Sequence, residues 1–411
     1  MSRVLFVLPF LPYPLSSGGH QAIFNGLVAA SEVAEIYLTY PDDADDAADR
    51  QALEEQLGGK IHILPFQVSV NRKGDKILNC IYRLKYTLKK LIKGEAAARK
   101  EPSPYEQWLE QILPGPDAYC SFVNKLVEEY RIDIVQCEML ETLAFALTLP
   151  RTVKKYFVHH ELGFVRKGQH PIAAQESLAA SAHLTINQLI EIDLLNRFDT
   201  VITLSETDTR KLRDAGVTCP IHTSFATVNH QPSTELESSS STVLSFIGPE
   251  WHPSNKQGLK WFLDSCWESL LTVNPDYRLQ IIGRWTDETC REWSSRYRNI
   301  SFPGFVEDLA ATIKNTIMIV PITIGSGIRM KILEAGLIGV PIVTTTVGVE
   351  GLPLKSGENC FIADTPEEFS RGIQALSDPS LRERFIHSAQ QIIAERYSQR
   401  ALNENRAKLY Q

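Results

Sequence analysis

The 411-residue chain has no Cys-x-x-Cys pair, and its seven cysteines (Cys80, Cys120, Cys137, Cys219, Cys266, Cys290 and Cys360) are scattered and odd in number. That usage excludes a disulfide framework and a structural zinc site and fits the reduced thiols of a cytoplasmic protein. Positive charge is not in excess. Lys and Arg number 42 against 49 Asp and Glu, a net charge of -7, which gives nucleic-acid coating no global electrostatic support. No apolar run approaches the ~18 residues of a membrane span. The run Val4 to Phe10 is interrupted by Pro9, followed by Pro12 and Pro14, and leads to no small-residue cleavage site. It reads as a buried strand entering a loop rather than a secretory leader. Nor does Gly-x-Gly-x-x-Gly follow that strand, which counts against an ordinary dinucleotide-dependent dehydrogenase.

What is present is an alternation. Val4–Leu8, Ala34–Thr39, Ile61–Leu64, Ile132–Cys137, Lys155–His159 and Thr200–Leu204 read as strands, with helical patterns such as His20–Ala30, Trp108–Ile112, Tyr119–Tyr130 and Ile186–Arg197 between them. The series resumes with Thr242–Ile247, Arg278–Ile282, Ile300–Phe302, Met318–Pro321, Pro341–Thr344 and Asn359–Ile362. Strands alternating with helices predict α/β architecture, with parallel sheets covered on both faces. The length exceeds one ordinary core. Thr227 to Thr242, rich in Ser, Thr, Pro and Glu, is the natural linker. The expected division is residues 1–228, a linker at 229–241, and residues 242–391, with a helical stretch at 392–411. Ligands of doubly wound sheets sit beyond the carboxyl ends of the strands, so two such domains face to face would bind across a cleft.

Three stretches could carry chemistry. Ser16-Ser17-Gly18-Gly19 stands between a strand and a helix, where glycines and unpaired helix N–H groups suit a phosphate, although plain turn chemistry gives the same string. Gly325-Ser326-Gly327 lies between the strand Met318–Pro321 and a helix expected to begin near Ile328 and to carry Arg329, Lys331 and Glu334. Two cations in a first turn oppose the helix dipole unless an anion lies before them. Arg offers a planar fork and Lys a point charge to a diphosphate, while Glu334, a turn deeper, could accept from ribose hydroxyls. The bland alternative is a solvated helix start. Residues 72–100 hold ten basic and two acidic residues, with Ile77, Leu78, Ile81, Leu84, Leu88, Leu91 and Ile92 on one helical face. Such a helix fits an anionic membrane surface, or packs its apolar face inward and leaves solvated cations outside.

The run Gly325 to Glu334, continued by Gly339-Val340-Pro341-Ile342-Val343-Thr344-Thr345 and Gly348-Val349-Glu350-Gly351-Leu352, resembles the donor segment of family 4 glycosyltransferases. Phe246-Ile247-Gly248, Ile282-Gly283-Arg284, Gly304-Phe305-Val306-Glu307-Asp308-Leu309, Ser17-Gly18-Gly19, Val158-His159-His160-Glu161 and Arg197 to Glu206 fit the same pattern. The resemblance implies a GT-B fold of two Rossmann-like domains facing across a cleft, with the final helix packing back on the first. It also implies a retaining, metal-independent transferase without a cofactor, using a nucleotide-sugar as co-substrate and a glycan, lipid-linked or small-molecule acceptor. By position, Glu334 would bind the ribose, and Gly325, Ser326, Gly327 and Ile328 the sugar and phosphates, faced by Gly18 and Gly19. Gly248, Gly283 and Arg284 would complete the donor site, with Phe305 and Val306 beside the base. Ser326 departs from the pattern, since many members have Glu there. Here the chain resembles the subgroup with a Gly-rich loop and an Arg-x-Lys donor helix, in which Arg329 and Lys331 would stabilise the leaving diphosphate. Glu138, where many relatives place a His, and His160 are the candidates on the other wall. The implied setting is cytoplasmic or peripheral on the inner membrane face, in polysaccharide or glycolipid synthesis. The competing readings are a noncatalytic subunit of the same fold and a nucleotide-sugar epimerase.

Overall fold

The structure, a computed structural model, describes residues 1–42, 46–67, 117–168, 178–228 and 242–410. The basic segment 72–100, the expected helix Trp108–Ile112 and the linker 229–241 lie outside the described residues.

Two parallel sheets carry the fold. The strands of the first are β1 (Ser2–Val7), β2 (Ala34–Thr39), β4 (Ile61–Ile63), β6 (Ile134–Glu138), β7 (Lys154–His159), β8 (Thr200–Thr203) and β9 (Ile221–Thr223). Their order is β4-β2-β1-β6-β7-β8-β9, and a separate pair joins β3 (Pro41–Asp42) to β5 (Phe66–Gln67). The second sheet holds β10 (Val243–Ile247), β11 (Arg278–Ile282), β12 (Ile300–Gly304), β13 (Ile317–Val320), β14 (Ile342–Thr344) and β15 (Phe361–Ile362) in the order β12-β11-β10-β13-β14-β15. Strands covered on both faces by helices read as unbroken apolar runs. Accordingly Val4 to Val7 in β1 and Ile317 to Val320 in β13 are all buried. Each sheet reverses its winding beside its first strand, at β1/β6 and at β10/β13, which is where such sheets open a crevice for ligands.

The helix Met330–Ile338 joins the two halves. Its Met330, Leu333 and Leu337 belong to one buried cluster with Val4, Phe6, Ile23 and Leu27 of the first sheet and its covering helix, and with Ile393 of the helix Pro379–Arg396. The helix Gln399–Tyr410 then lies along Gly18–Ser31, with the Arg406 guanidinium beside Gly26. The chain's second crossing is pinned to the first, since the Thr227 hydroxyl donates to the Tyr397 carbonyl. No described helix is long and apolar enough to span a membrane.

The helix Pro253–Phe262 packs so tightly behind β13 that a Cβ on Gly258 would run into the Pro321 carbonyl. Gly258→Ala would gain about 1 kcal/mol of helix propensity but lose about 1–3 kcal/mol to overpacking. The clash meets backbone, which cannot swing aside, so the variant is expected to unfold at lower urea with an unchanged m value. An equal or higher midpoint would contradict this packing.

Candidate functional site

The β1 and β7 ends of the first sheet and the β10 and β13 ends of the second meet across a cleft of about 1240 Å³. Two helices aim their N-termini into it. Gly18–Ser31 is capped by Ser17, whose hydroxyl accepts from the His20 N–H, and Met330–Ile338 begins behind Arg329. Neither has an acidic residue in its first turn, so both positive ends are left for an anion. A Cβ on Gly18 would press on Met330 Cγ and Cβ at 2.8 and 3.0 Å, whereas one on Gly19 would meet only the terminal methyl of Met139 at 2.8 Å.

The helix expected from Ile328 starts at Met330, so Arg329 is its N-cap and not a first-turn residue. The reason is the loop before it. Gly325 and Gly327 take φ of +128° and +77°, and Arg329 is extended at φ -86°, ψ 90°. Arg329 folds back so that Nη1 donates to the Ser326 and Gly327 carbonyls, while Nη2 is buried without a hydrogen-bond partner. Lys331 points to the same depth, its Nζ 2.7 Å from Asn255 Oδ1 and 4.4 Å from the Phe246 ring centre. Both head groups lie deep in the protein, while part of each side chain still reaches solvent through the cleft. Burial lowers the pKa of both. For Lys331, burial and then the neighbouring Arg329 charge bring it down to about 7. Ser254 Oγ and His252 Nδ1 are also buried without a hydrogen-bond partner, and both residues line the cleft. Burial is again the main cause that keeps the His252 pKa low, helped by Lys331 and Arg329.

Glu334, one turn on, accepts from Gln21 Nε2 at 2.8 Å across the domain boundary. Ser326 is turned away from the cavity's centre. Its Oγ accepts from the Leu162 N–H at 2.6 Å and donates back to the Leu162 carbonyl at 3.3 Å, clasping the two domains. Gly327 sits where any Cβ would strike the His160 carbonyl. Gly325 and Gly327 therefore build the loop without lining the cleft, whereas Ser326, Ile328, Arg329, Lys331 and Glu334 line it. Gly248, Gly283, Phe305 and Val306 line it as well, and Trp251 and Phe305 stand exposed at its mouth.

Two candidates fall elsewhere. Arg284 borders a shallow neighbouring pocket with Glu250, Trp251, Lys256, Trp285 and Thr286, because the turn after β11 directs it away from the cleft. Glu138 is buried behind His160 and does not line the cleft. Its Oε2 accepts from His160 Nε2 at 2.8 Å, so His160 is the cleft residue and Glu138 its support. His159 faces the interior and bonds Glu191 at 3.0 Å. The residues that sequence reasoning passed over are Gln21, His252, Ser254 and Asn255. The Pro249–Lys256 stretch after β10 held the signal for three of them, since turns beyond strand ends carry sites.

Residues 241–378 match the family model described as Glycosyl transferases group 1. An uncharacterized 44.6 kDa protein in the cps region of Klebsiella pneumoniae is 31% identical over 136 residues, which span 31% of this chain and only 35% of that protein. Among solved structures, sucrose-phosphate synthase from Thermosynechococcus elongatus is similar at TM-score 0.73 and 13% identity, covering 100% of this chain and 98% of that one. HepE of Anabaena in complex with UDP-glucose gives 0.66 and 15%, covering 100% and 99%. A mutant TarM of S. aureus in complex with fondaparinux, α-GlcNAc-glycerol and UDP gives 0.69 and 12%, covering 100% and 100%. The whole chain thus has the GT-B fold of glycosyltransferases. Within it, residues 241–378 form a domain of the group 1 type.

An anion beside Lys331 opposes the burial that keeps its pKa near 7. Above that pH an anion that binds beside Lys331 must bring a proton with it, so the affinity measured for a nucleoside diphosphate should fall as pH rises from 7 to 9. The slope should approach about tenfold per unit, and Lys331→Arg should flatten it. Titration calorimetry at pH 8 in buffers of different ionisation enthalpy would show the uptake. A wild-type affinity flat across this range would contradict the assignment.

Proposed function

We propose that this chain is a retaining, metal-independent glycosyltransferase that needs no cofactor and moves a sugar from a nucleotide-sugar to a hydroxyl of a glycan or lipid-linked acceptor. The observation that carries the proposal is a deep pair of cations, Arg329 and Lys331, set between two helix N-termini that lack first-turn acids. Such a place costs folding energy unless a multiply charged anion occupies it, and a diphosphate leaving group meets that requirement. The group 1 match over the domain that holds both cations supports the assignment. Neighbours of the same fold have been solved with UDP, UDP-glucose and glycan ligands, which supports a nucleoside diphosphate donor.

In the proposed reaction the acceptor oxygen bonds to the anomeric carbon on the face the diphosphate leaves. The bond from that carbon to the phosphate oxygen breaks, and the acceptor's proton passes to that oxygen. Arg329 Nη2, Lys331, Ser254 and the two helix ends stabilise the negative charge that grows there, which in such transfers is the dominant contribution. Glu334 holds the ribose once Gln21 yields or shares its carboxylate. His160, with Nε2–H given to Glu138, offers its other ring nitrogen to a sugar hydroxyl. Surface polysaccharide or glycolipid synthesis at the inner membrane face is the setting proposed, in keeping with the partial relative from a cps region.

With a panel of nucleotide-sugars and candidate acceptors, one donor should release its nucleoside diphosphate faster when acceptor is present. Arg329→Ala and Lys331→Ala should each weaken nucleoside diphosphate binding by ~1–3 kcal/mol, the size of a lost charge-assisted hydrogen bond. Unchanged affinity in both variants would sink the proposal. Tight binding of one donor without transfer to any acceptor would favour a noncatalytic subunit, and an epimerised donor an epimerase.

A further inference from the structure

The helix Gln399–Tyr410 reaches the cleft through a buried file of polar groups. Tyr410 is only 1% exposed, and its hydroxyl donates to Gln136 Oε1 at 2.6 Å. Gln136, fully buried in β6, donates from Nε2 to Glu138 Oε1 at 2.7 Å. Glu138, 1% exposed, accepts on its other oxygen from His160 Nε2 at 2.8 Å, and His160 lines the cleft. The Tyr410 backbone is held in place by its own contacts. The Ser2 hydroxyl donates to the Tyr410 carbonyl at 2.8 Å, and the Tyr156 hydroxyl to the Leu409 carbonyl at 3.1 Å.

We infer that Tyr410 is a positioning residue for the transfer reaction, acting on His160 through Gln136 and Glu138. The directions of the bonds dictate this. A carboxylate only accepts, so the His160 hydrogen must sit on Nε2, leaving Nδ1 as the lone-pair nitrogen. Glu138 can hold that tautomer only while its second oxygen is satisfied, and its donor is the Gln136 amide. An amide has two faces of similar shape, one donating and one accepting. Turned over, Gln136 would set an oxygen against the Glu138 oxygen. Turned over, it would also leave the buried Tyr410 hydroxyl hydrogen without an acceptor, because Arg406 Nη1 already donates to that oxygen at 3.5 Å. In a buried site, where an unpaired polar atom is costly, the selection of the acceptor face is strong. A residue from the helix that crosses back over the first domain thereby fixes which nitrogen faces the sugar. The catalytic part of this inference rests on the transferase proposal; the tautomer part does not.

Two measurements on the full chain test it. In protein labelled with ¹⁵N-histidine, assigned with His160→Ala, the His160 nitrogens should report an Nε2–H tautomer. Tyr410→Phe, which keeps the ring and removes only the hydroxyl, should shift those signals toward mixed tautomers. The same variant should lower kcat by about three- to tenfold, the size of one hydrogen bond, with KM for the donor unchanged. Gln136→Met, which leaves Tyr410 seated, should reproduce both effects. In a His160→Ala background Tyr410→Phe should cost nothing further. His160 signals that ignore Tyr410→Phe, or a loss of kcat that persists in the His160→Ala background, would overturn the inference. A wild type that transfers no sugar, with the tautomer shift still present, would count against the transferase proposal alone.

Discussion

The close approach of the Gly325–Gly327 loop to the His160–Leu162 backbone is the contact on which the cleft depends. Gly327 must lack a side chain to meet the His160 carbonyl, and Ser326 then bonds both polar groups of Leu162. This seam sets the ends of β7 and β13 against each other. It brings the N-terminus of Gly18–Ser31 opposite that of Met330–Ile338, with Met330 filling the space over Gly18. A serine suits the role because its short hydroxyl can donate and accept at once.

The seam also explains how two cations are tolerated out of solvent. Arg329 spends one nitrogen on loop carbonyls that the glycine conformations turn toward it, and Lys331 rests on the Phe246 ring and the Asn255 amide oxygen. These neutral partners solvate the charges without cancelling them. A carboxylate in contact would stabilise the empty protein better and weaken its hold on an anion. Glu161, the acid that acts most strongly on Arg329, is instead engaged by Arg166 at 2.9 Å.

Much of this was legible in the sequence because it is local. Strand positions follow from short apolar runs, and Ala34–Thr39 and Arg278–Ile282 are found at the expected residues. Arg329, Lys331 and Glu334 stood out because cations are misplaced at a helix start. The exact start was not legible, since it depends on positive φ at Gly325 and Gly327 and on Arg329 curling back. Gln21 meets Glu334 from 313 residues away, and Tyr410 meets Gln136 from 274. No periodicity or spacing encodes such pairs. Glu138 looked like a cleft residue because it stands where many relatives place a His, and His160 because it ends a strand; only the geometry ranks one behind the other.

The chain passes between the two sheets twice, once after Val228 and once around Tyr397, and the Thr227 hydroxyl joins the two passages. Bodies tied at a single point can swivel in any direction. Bodies tied by two neighbouring strands are left with little more than one axis, as a door is by a pair of hinges. Any opening about that tie would part Ser326 from Leu162, and the helix Gln399–Tyr410, packed along Gly18–Ser31, would stay with the first domain.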